Sequence, residues 1–207
     1  MADQTPRQRA CSGFTMIEVL VSILIMTLGL LGLAAIQARA QQAELESYQR
    51  AQALILLQDM VDRINSNRKA AGCYAFTPFP ENGTTFAGVG AAAAPVCAGA
   101  YGTIQTRAQA DADMLEWHNL LKGAAEAIGA NQVGAMIGAR GCVSLDTTVN
   151  PNTYRVSVAW QGMTPTVDPS GLPTPLHCAA GQYGTAPGDS LRRRVISVTF
   201  PMACLSC

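Results

Sequence analysis

The residue types most often used in catalysis and metal binding are sparse in this chain. Neither His118 nor His177 has a serine or a carboxylate at a spacing typical of a catalytic site, so we expect both at the surface. Asp111, Asp113 and Glu116 fit the charged first turns of a helix, where carboxylates complement the helix dipole, better than an acid/base pair. The sequence has no glycine-rich phosphate loop. These patterns predict a protein that is not an enzyme and that has no metal or cofactor.

The cysteines are distributed unevenly along the chain. Six of the seven follow an apolar segment near the N-terminus, and an even number in one compartment suits disulfides in an oxidising, extracytoplasmic environment. Cys11 precedes that segment, and the six that follow are Cys73, Cys97, Cys142, Cys178, Cys204 and Cys207.

The spacing of Cys204 and Cys207 also occurs in zinc and redox sites. A zinc ribbon needs a second such pair, which the sequence lacks, although His177 and Cys178 could contribute ligands. A redox pair belongs at the start of a helix in a thioredoxin-like unit. We therefore interpret the six cysteines as structural disulfides.

One carboxylate lies inside the apolar segment. Residues 14–36 form a run of 23 residues whose only charge is Glu18, and about 20 apolar residues span a bilayer as a helix. Arg7 and Arg9 precede the run and favour a cytoplasmic N-terminus, with the rest of the chain outside. A carboxylate in hydrocarbon is costly and is by default a functional hypothesis. At the end of the segment it could also lie at the interface, where it costs little.

Two other processing routes compete for this segment. Ala38 to Ala40 resembles a secretory cleavage site, but secretory signals have apolar cores of about 7–15 residues. Lipoprotein processing at Cys11 is disfavoured because no apolar run precedes it. We expect the segment to stay attached to the mature protein.

The residues before the run suggest a role for Glu18. It follows Phe14 by four residues, which places both on one face of a helix. Cleavage between Gly13 and Phe14 would create a positive amine at the head of the helix. Glu18, on the same or a neighbouring subunit, could neutralise that amine where the dielectric constant is low.

Residues 13–18, which read Gly-Phe-Thr-Met-Ile-Glu after a short basic leader, resemble a type IV prepilin processing site. The resemblance implies cleavage after Gly13 by prepilin peptidase and methylation of the Phe14 amine. It also implies that Glu18 registers the incoming subunit against its neighbour.

The helical pattern continues beyond the apolar run. Residues 37–66 contain no proline or glycine, and apolar residues recur there at spacings of three and four. The expected stripe comprises Leu54, Leu57, Val61 and Ile64, widened by Leu45, Ile55 and Met60. One helix is therefore expected from about Phe14 to about Ser66. Gly29 and Gly32 interrupt its apolar half. They could form a helix-packing surface, they could be points where the helix loosens during assembly, or they could simply be glycines that a membrane helix tolerates.

The remaining residues, 67–207, predict a small mixed domain. A loop-like region between residues 70 and 106 is bracketed by Cys73 and Cys97, which we favour as one disulfide; fifteen pairings of six cysteines are possible and the others stay open. A helix over residues 108–128 and strands over 141–145, 154–160 and 194–200 should follow. Arg192 to Arg194 is expected to be solvated, with a partner or phospholipid contact as the alternative.

The expected fold class is α+β: a long N-terminal helix packed on a small antiparallel sheet, which is the pilin fold that the resemblance implies. We divide the chain into a leader (1–13), a membrane-spanning and filament-core helix half (14–36), an amphipathic helix half (37–66) and a disulfide-containing periplasmic domain (67–207).

The order of the outer motifs is similar to one branch of this family. A helix with Asp-Met-Leu-Glu-Trp at 113–117 is followed by Arg-Gly-Cys-Val at 140–143, by a strand at 154–160 and by Arg-Arg-Val-Ile-Ser-Val at 193–198. Together these motifs resemble minor pilins of the PilV type, the type IV pilus modification proteins.

The branch implies a minor pilin that is processed at the inner membrane and enters the pilus, where it takes part in assembly, priming or the tip complex. The implied partners are prepilin peptidase, other minor pilins, the major pilin and inner-membrane lipid. Nucleic acid is not expected, because the formal net charge is zero. The alternatives are a type II secretion pseudopilin, a periplasmic enzyme or binding protein tethered by its helix, and a secreted adhesin cut after Ala40.

Overall fold

A computed structural model describes residues 13–124, 127–128, 131–132, 136–172, 175–184 and 189–202. The chain divides into two compact units, residues 1–44 and 45–207. Helix α1 (Met16–Ser66) contributes to both, and α2 (Ile104–Leu121) belongs to the second. The strands are β1 (Ala87–Gly88), β2 (Ala127–Ile128), β3 (Asn131–Gln132), β4 (Arg140–Asp146), β5 (Thr153–Gln161) and β6 (Arg193–Pro201). Short 3-10 turns cover Arg68–Tyr74, Pro169–Gly171 and Asp189–Arg192.

The first unit consists of the apolar part of α1. Its 18-residue window of highest mean hydropathy reaches 2.7 and is not buried at all, so α1 is long and apolar enough to cross a membrane. The helix continues without interruption through Gly29 and Gly32. A Cβ atom added at either glycine would have no atom within 4 Å outside the neighbouring helix backbone.

The second unit contains an antiparallel four-stranded sheet in the order β1-β4-β5-β6. Val156 and Val158 of β5 are fully buried and alternate with residues of the opposite face, because successive side chains of a strand point to opposite sides. The sheet and residues 45–66 of α1 enclose one apolar core, which also includes Trp117 of α2. This arrangement confirms the α+β, pilin-like fold class.

The buried face of α1 differs from the predicted stripe. Five residues at spacings of three and four are buried: Gln49, Ala53, Leu57, Met60 and Ile64. Leu45, Leu54 and Ile55 are 51%, 51% and 59% exposed, so their assignment to the core-facing stripe was wrong. Both faces of this segment carry apolar residues, and only one of them is buried. A second apolar face therefore remains uncovered.

Two disulfides tie the loops to the core. Cys73 pairs with Cys97, the bridge favoured from the sequence, and closes a separation of 24 residues. Cys142 on β4 pairs with Cys178 across a separation of 36 residues. The second bridge fastens the loop that follows β5 to the face of the sheet opposite α1. Cys11, Cys204 and Cys207 lie outside the described residues.

Helix α2 is shifted towards the N-terminus relative to the prediction. It begins at Ile104 after Thr103, whose side chain accepts a hydrogen bond from the Thr106 amide in a capping box. It ends at Leu121, before Ile128, which was predicted as its last residue. The prediction missed the threonine cap and extended the apolar pattern through Gly123.

Candidate functional site

The candidate site begins where α1 begins. Gly13 and Phe14 precede the helix, and Phe14 is 82% exposed. Thr15 occupies the cap position: its carbonyl accepts the amides of Glu18 at 3.1 Å and Val19 at 3.3 Å, and its hydroxyl lies 3.4 Å from the Glu18 amide. Phe14 therefore lies outside the helix, and the expected helical pairing of Phe14 with Glu18 is not present in the described chain. The Gly13–Phe14 bond is reachable by an enzyme.

Glu18 is the one acidic residue in the first turn of α1. At this position its carboxylate complements the positive end of the helix dipole. It makes no ion pair with any residue that the structure describes, and every described residue of the first unit is exposed. Within the described residues, Glu18 therefore has no positive partner.

The hydroxyl groups of the apolar segment are already satisfied inside the helix. Ser22 donates to the Glu18 carbonyl at 2.7 Å, and Thr27 donates to the Leu24 carbonyl at 2.8 Å. These bonds remove the need for water at either side chain. Within residues 13–36 of the described chain, Glu18 is thus the charged side chain for which the helix provides no ion-pair partner.

An ionic network, buried only at Asp113, connects α1 to α2. Arg63 contacts Asp59 at 2.8 Å, Glu116 at 2.9 Å and Asp113 at 3.3 Å, the last two on α2. Although burial alone would lower the pKa of Arg63, its bonds to Glu116 and Asp59 raise it above the ordinary value. Tyr74 donates to the buried Asp113 carboxylate. The network joins α1, α2 and the turn at Arg68–Tyr74.

The network corrects the interpretation of the three acids. Asp111, Asp113 and Glu116 lie in the middle of α2, not in its first turns, and Asp113 is only 6% exposed. Asp111 accepts the Cys97 amide at 2.6 Å and so holds the first disulfide loop against α2. Asp111 and Asp113 therefore hold elements of the fold together.

The arginine run also differs from its prediction as a solvated segment. Arg192 is exposed, but Arg193 is 1% exposed and donates to Asp168, Ser170 and the carbonyls of Leu176 and Cys178. A single guanidinium therefore holds the loop after β5 in place. Local sequence could not reveal this, because the acceptors lie 15 to 25 residues away.

Arg194 fastens the sheet to α1. It lies 3.3 Å from Glu46 Oε1, which also accepts the amides of Met163 and Thr164 at 3.1 Å. Burial alone would raise the pKa of Glu46, but the bonds from Thr164 and the charge of Arg194 hold that pKa below its ordinary value.

The histidines have different environments. His118 was expected at the surface but is 5% exposed, and its Nδ1 accepts the Gly88 amide at 3.0 Å. Burial, together with the charge of Lys122, lowers the pKa of His118. His177 is half-buried. Among the described residues, no three histidine, cysteine, aspartate or glutamate side chains lie together in a way that could hold a metal ion.

Comparison with protein-family models gives two adjoining matches. Residues 8–34 match the prokaryotic N-terminal methylation motif, and residues 35–114 match the Tt1218-like family, described as type IV pilin Tt1218. No curated protein and no solved structure gives a significant match. The first match covers the Gly13–Phe14 bond and Glu18, and the second covers the part of α1 that packs on the outer domain together with most of α2.

Proposed function

Taking the chain to be a type IV pilin, as its fold and both family matches support, we propose that it is a minor pilin of the PilV type. Residues 1–13 are its leader, residues 14–36 anchor it in the inner membrane and later enter the filament core, and the rest of α1 carries the periplasmic domain of residues 67–207. The observation that carries the proposal is the position of Glu18, a single carboxylate in the first turn of an exposed apolar helix directly after Gly13 and Phe14.

Processing creates the partner that Glu18 lacks. Prepilin peptidase hydrolyses the Gly13–Phe14 bond, and the new Phe14 ammonium is then methylated but stays positive. At 4 Å, two opposite unit charges attract by about 1 kcal/mol in water and by about 4 kcal/mol at an effective dielectric constant of about 20. The pairing therefore gains strength when α1 leaves water-exposed surroundings and packs among apolar helices.

Assembly exchanges lipid contacts of the apolar helix for contacts with other pilins. On a soluble monomer, an exposed apolar helix of this length would leave a large apolar surface in water, which is unfavourable. Pairing of Glu18 with the amine of a neighbouring subunit gives that exchange a fixed axial register. The other minor pilins and the major pilin are the proposed partners, in priming or at the tip.

The N-terminus of the mature protein provides the first test. Intact-mass measurement and N-terminal sequencing of membrane-extracted protein should find a chain that begins at Phe14 and carries an added methyl group. A chain that retains Met1 would identify a tethered periplasmic protein, and one that begins at Gln41 would identify a secreted protein. Either result would refute the proposal.

Substitution of Glu18 provides the second test. Glu18→Ala and Glu18→Gln should be inserted and cleaved normally but should be depleted from sheared pili, because the amine of the neighbour loses its partner. Glu44→Ala is the matched control, an exposed acid on the same helix outside the apolar run, and should enter pili at the wild-type level. Equal incorporation of all three variants would contradict the pairing role.

A type II secretion pseudopilin is the second candidate, because the methylation motif serves both systems. Recovery in sheared pili separates the two functions. Loss of secretion without any pilus defect in a strain lacking the chain would favour the pseudopilin.

A further inference from the structure

The two edges of the four-stranded sheet differ in length and in how far they are covered by other strands. At one edge, β1 pairs with the start of β4, and Thr77 forms a bridge to Ser144 further along that strand. At the other edge lies β6, which pairs with β5 over nine consecutive residues and has no strand beyond it among the described residues. Ser197, Thr199 and Pro201 are exposed. The long edge is therefore the open one.

The hydrogen-bond pattern identifies which backbone groups face outward. The Gly162 amide donates to the Arg192 carbonyl at 2.8 Å, and the Met202 amide donates to the Asn152 carbonyl at 2.9 Å. Because hydrogen-bonded pairs alternate along an antiparallel ladder, the even-numbered residues between 192 and 202 bond to β5. The amides of Val195, Ser197 and Thr199 consequently point away from the sheet.

Nothing in β6 blocks the pairing of another strand. Natural edge strands are protected by shortness, central charges, prolines or bulges. The register of β6 has no bulge, its charges are confined to Arg193 and Arg194, and its proline is the last residue. Between them lie Val-Ile-Ser-Val-Thr-Phe at residues 195–200, and all but Ser197 have high β-propensity.

A groove lies at the N-terminal end of this edge. Its volume is about 410 Å³, and Arg50 of α1, Trp160 of β5 and Ile196 of β6 are among its lining residues. Glu46 and Arg194 also line it but neutralise each other. Arg50 is exposed and makes no ion pair with any residue that the structure describes. The groove therefore has one uncompensated positive charge beside the first residues of β6.

We propose that β6 is a docking edge for an extended strand of another protein chain, which pairs antiparallel to β6 and places a carboxylate at its C-terminal end beside Arg50. Antiparallel pairing continues the pattern of the sheet, and it alone brings the C-terminal end of the incoming strand to the groove. Backbone hydrogen bonds supply the affinity in such strand addition, and alternate side chains supply the specificity. The docking edge lies within residues 45–202, so the proposal does not depend on how the N-terminus is processed.

The test uses the full mature chain in detergent micelles and three synthetic peptides. The first alternates threonine and valine over six residues, has an acetylated N-terminus and ends in a free carboxylate. The second ends in an amide, and the third carries its carboxylate on a succinyl group at the N-terminus and ends in an amide. Amide hydrogen exchange resolved by NMR should show Val195, Ser197 and Thr199 exchanging faster than Ile196 and Val198 in the free protein. Addition of the first peptide should protect those three amides.

Variants separate the backbone and charge contributions. Ser197→Pro removes an outward amide and should weaken the binding of all three peptides by at least about tenfold. Ser197→Thr keeps the amide, and this variant should bind the peptides normally. Should the proline variant misfold, Thr199→Lys places a charge on the edge and should weaken binding similarly. The first peptide should bind about threefold more tightly than the other two, and Arg50→Gln should remove that difference.

Three results would overturn the proposal. The first is no protection of the three outward amides at about 1 mM peptide, a concentration that reveals even weak binding. The second is equal binding of the three peptides, which would refute both the role of Arg50 and the antiparallel direction of the incoming strand. The third is protection of the same amides without peptide that grows with protein concentration, which would identify a second copy of this chain as the occupant.

Discussion

Removal of the Asp113 carboxylate should destabilise the outer domain more than removal of any other acid on α2. Asp113 Oδ1 accepts from Gln109 at 2.8 Å and from Arg63 at 3.3 Å, and Oδ2 accepts from the Tyr74 hydroxyl. Tyr74 is fully buried. Burial, followed by the hydrogen bond to Asp113, raises the pKa of Tyr74, so the phenol is the donor at any physiological pH. The carboxylate thus accepts from three donors, of which the Tyr74 hydroxyl is fully buried.

The size of the effect follows from what remains after the substitution. In Asp113→Ala, Arg63 keeps Asp59 and Glu116, but the Tyr74 hydroxyl loses its acceptor inside the core. Because Arg63 keeps two carboxylates, no buried charge is left without a partner, and the main loss is the hydrogen bond from the Tyr74 hydroxyl to a charged group, about 1.5–3 kcal/mol. We expect Asp113→Ala to lower the free energy of unfolding by about 2–3 kcal/mol.

Urea unfolding, followed by near-ultraviolet circular dichroism with both disulfides intact, measures this loss. Glu116→Ala is the matched control, because Glu116 also contacts Arg63 but its side chain is 63% exposed, and it should cost less than about 1 kcal/mol. A double-mutant cycle of Asp113→Ala with Tyr74→Phe should give a coupling energy of about 1.5–3 kcal/mol. Equal losses for the two acid variants, or a coupling energy near zero, would refute the reasoning.

Two further perturbations test other parts of the outer domain. Gly141→Ala places a methyl group against the Trp117 and Leu121 side chains and should cost at least about 1–3 kcal/mol, whereas Gly171→Ala, with no atom within 4 Å, should be close to neutral; urea midpoints of both variants decide. His118 has a lowered pKa in the folded chain, so the stability that it contributes is fully present above its unfolded value of 6.5 and is lost as the pH falls below that value. His118→Gln should flatten this part of the pH dependence of the melting temperature, and an unchanged slope would contradict the assignment.

The strands could be predicted because their pattern is local. Alternation of Val156, Val158 and Trp160 with residues of the opposite face indicated β5 to within one residue at each end, and the ends of β4 and β6 also lie one residue from their predictions. The end of α1 at Ser66 is also where the sequence predicted it. Alternation with a period of two and the residues that end a helix predict structure well, because both depend on residues that are neighbours in the chain.

Several of the errors concern charged residues whose partners are distant in sequence. Arg193 and Arg194 look like an ordinary solvated pair, yet one holds a loop from residue 168 to residue 178 and the other pairs with Glu46, 148 residues away. Asp113 and His118 are buried for the same reason, since their partners Tyr74 and Gly88 come from other segments. No spacing rule within α2 could have shown these contacts.

The apolar faces that remain exposed are the strongest physical argument for assembly. In the first unit, Leu20, Ile23 and Leu24 are each more than half exposed, and in the second, Leu54 and Ile55 add a further uncovered face on α1. Each fully buried side chain of this kind contributes about 1.5–3 kcal/mol relative to its exposed state. A chain that left these five in water would forgo an amount comparable to the net free energy that a typical domain gains on folding. Lipid can cover the first unit before assembly, but Leu54 and Ile55 belong to the second unit, and we expect a neighbouring subunit to cover them.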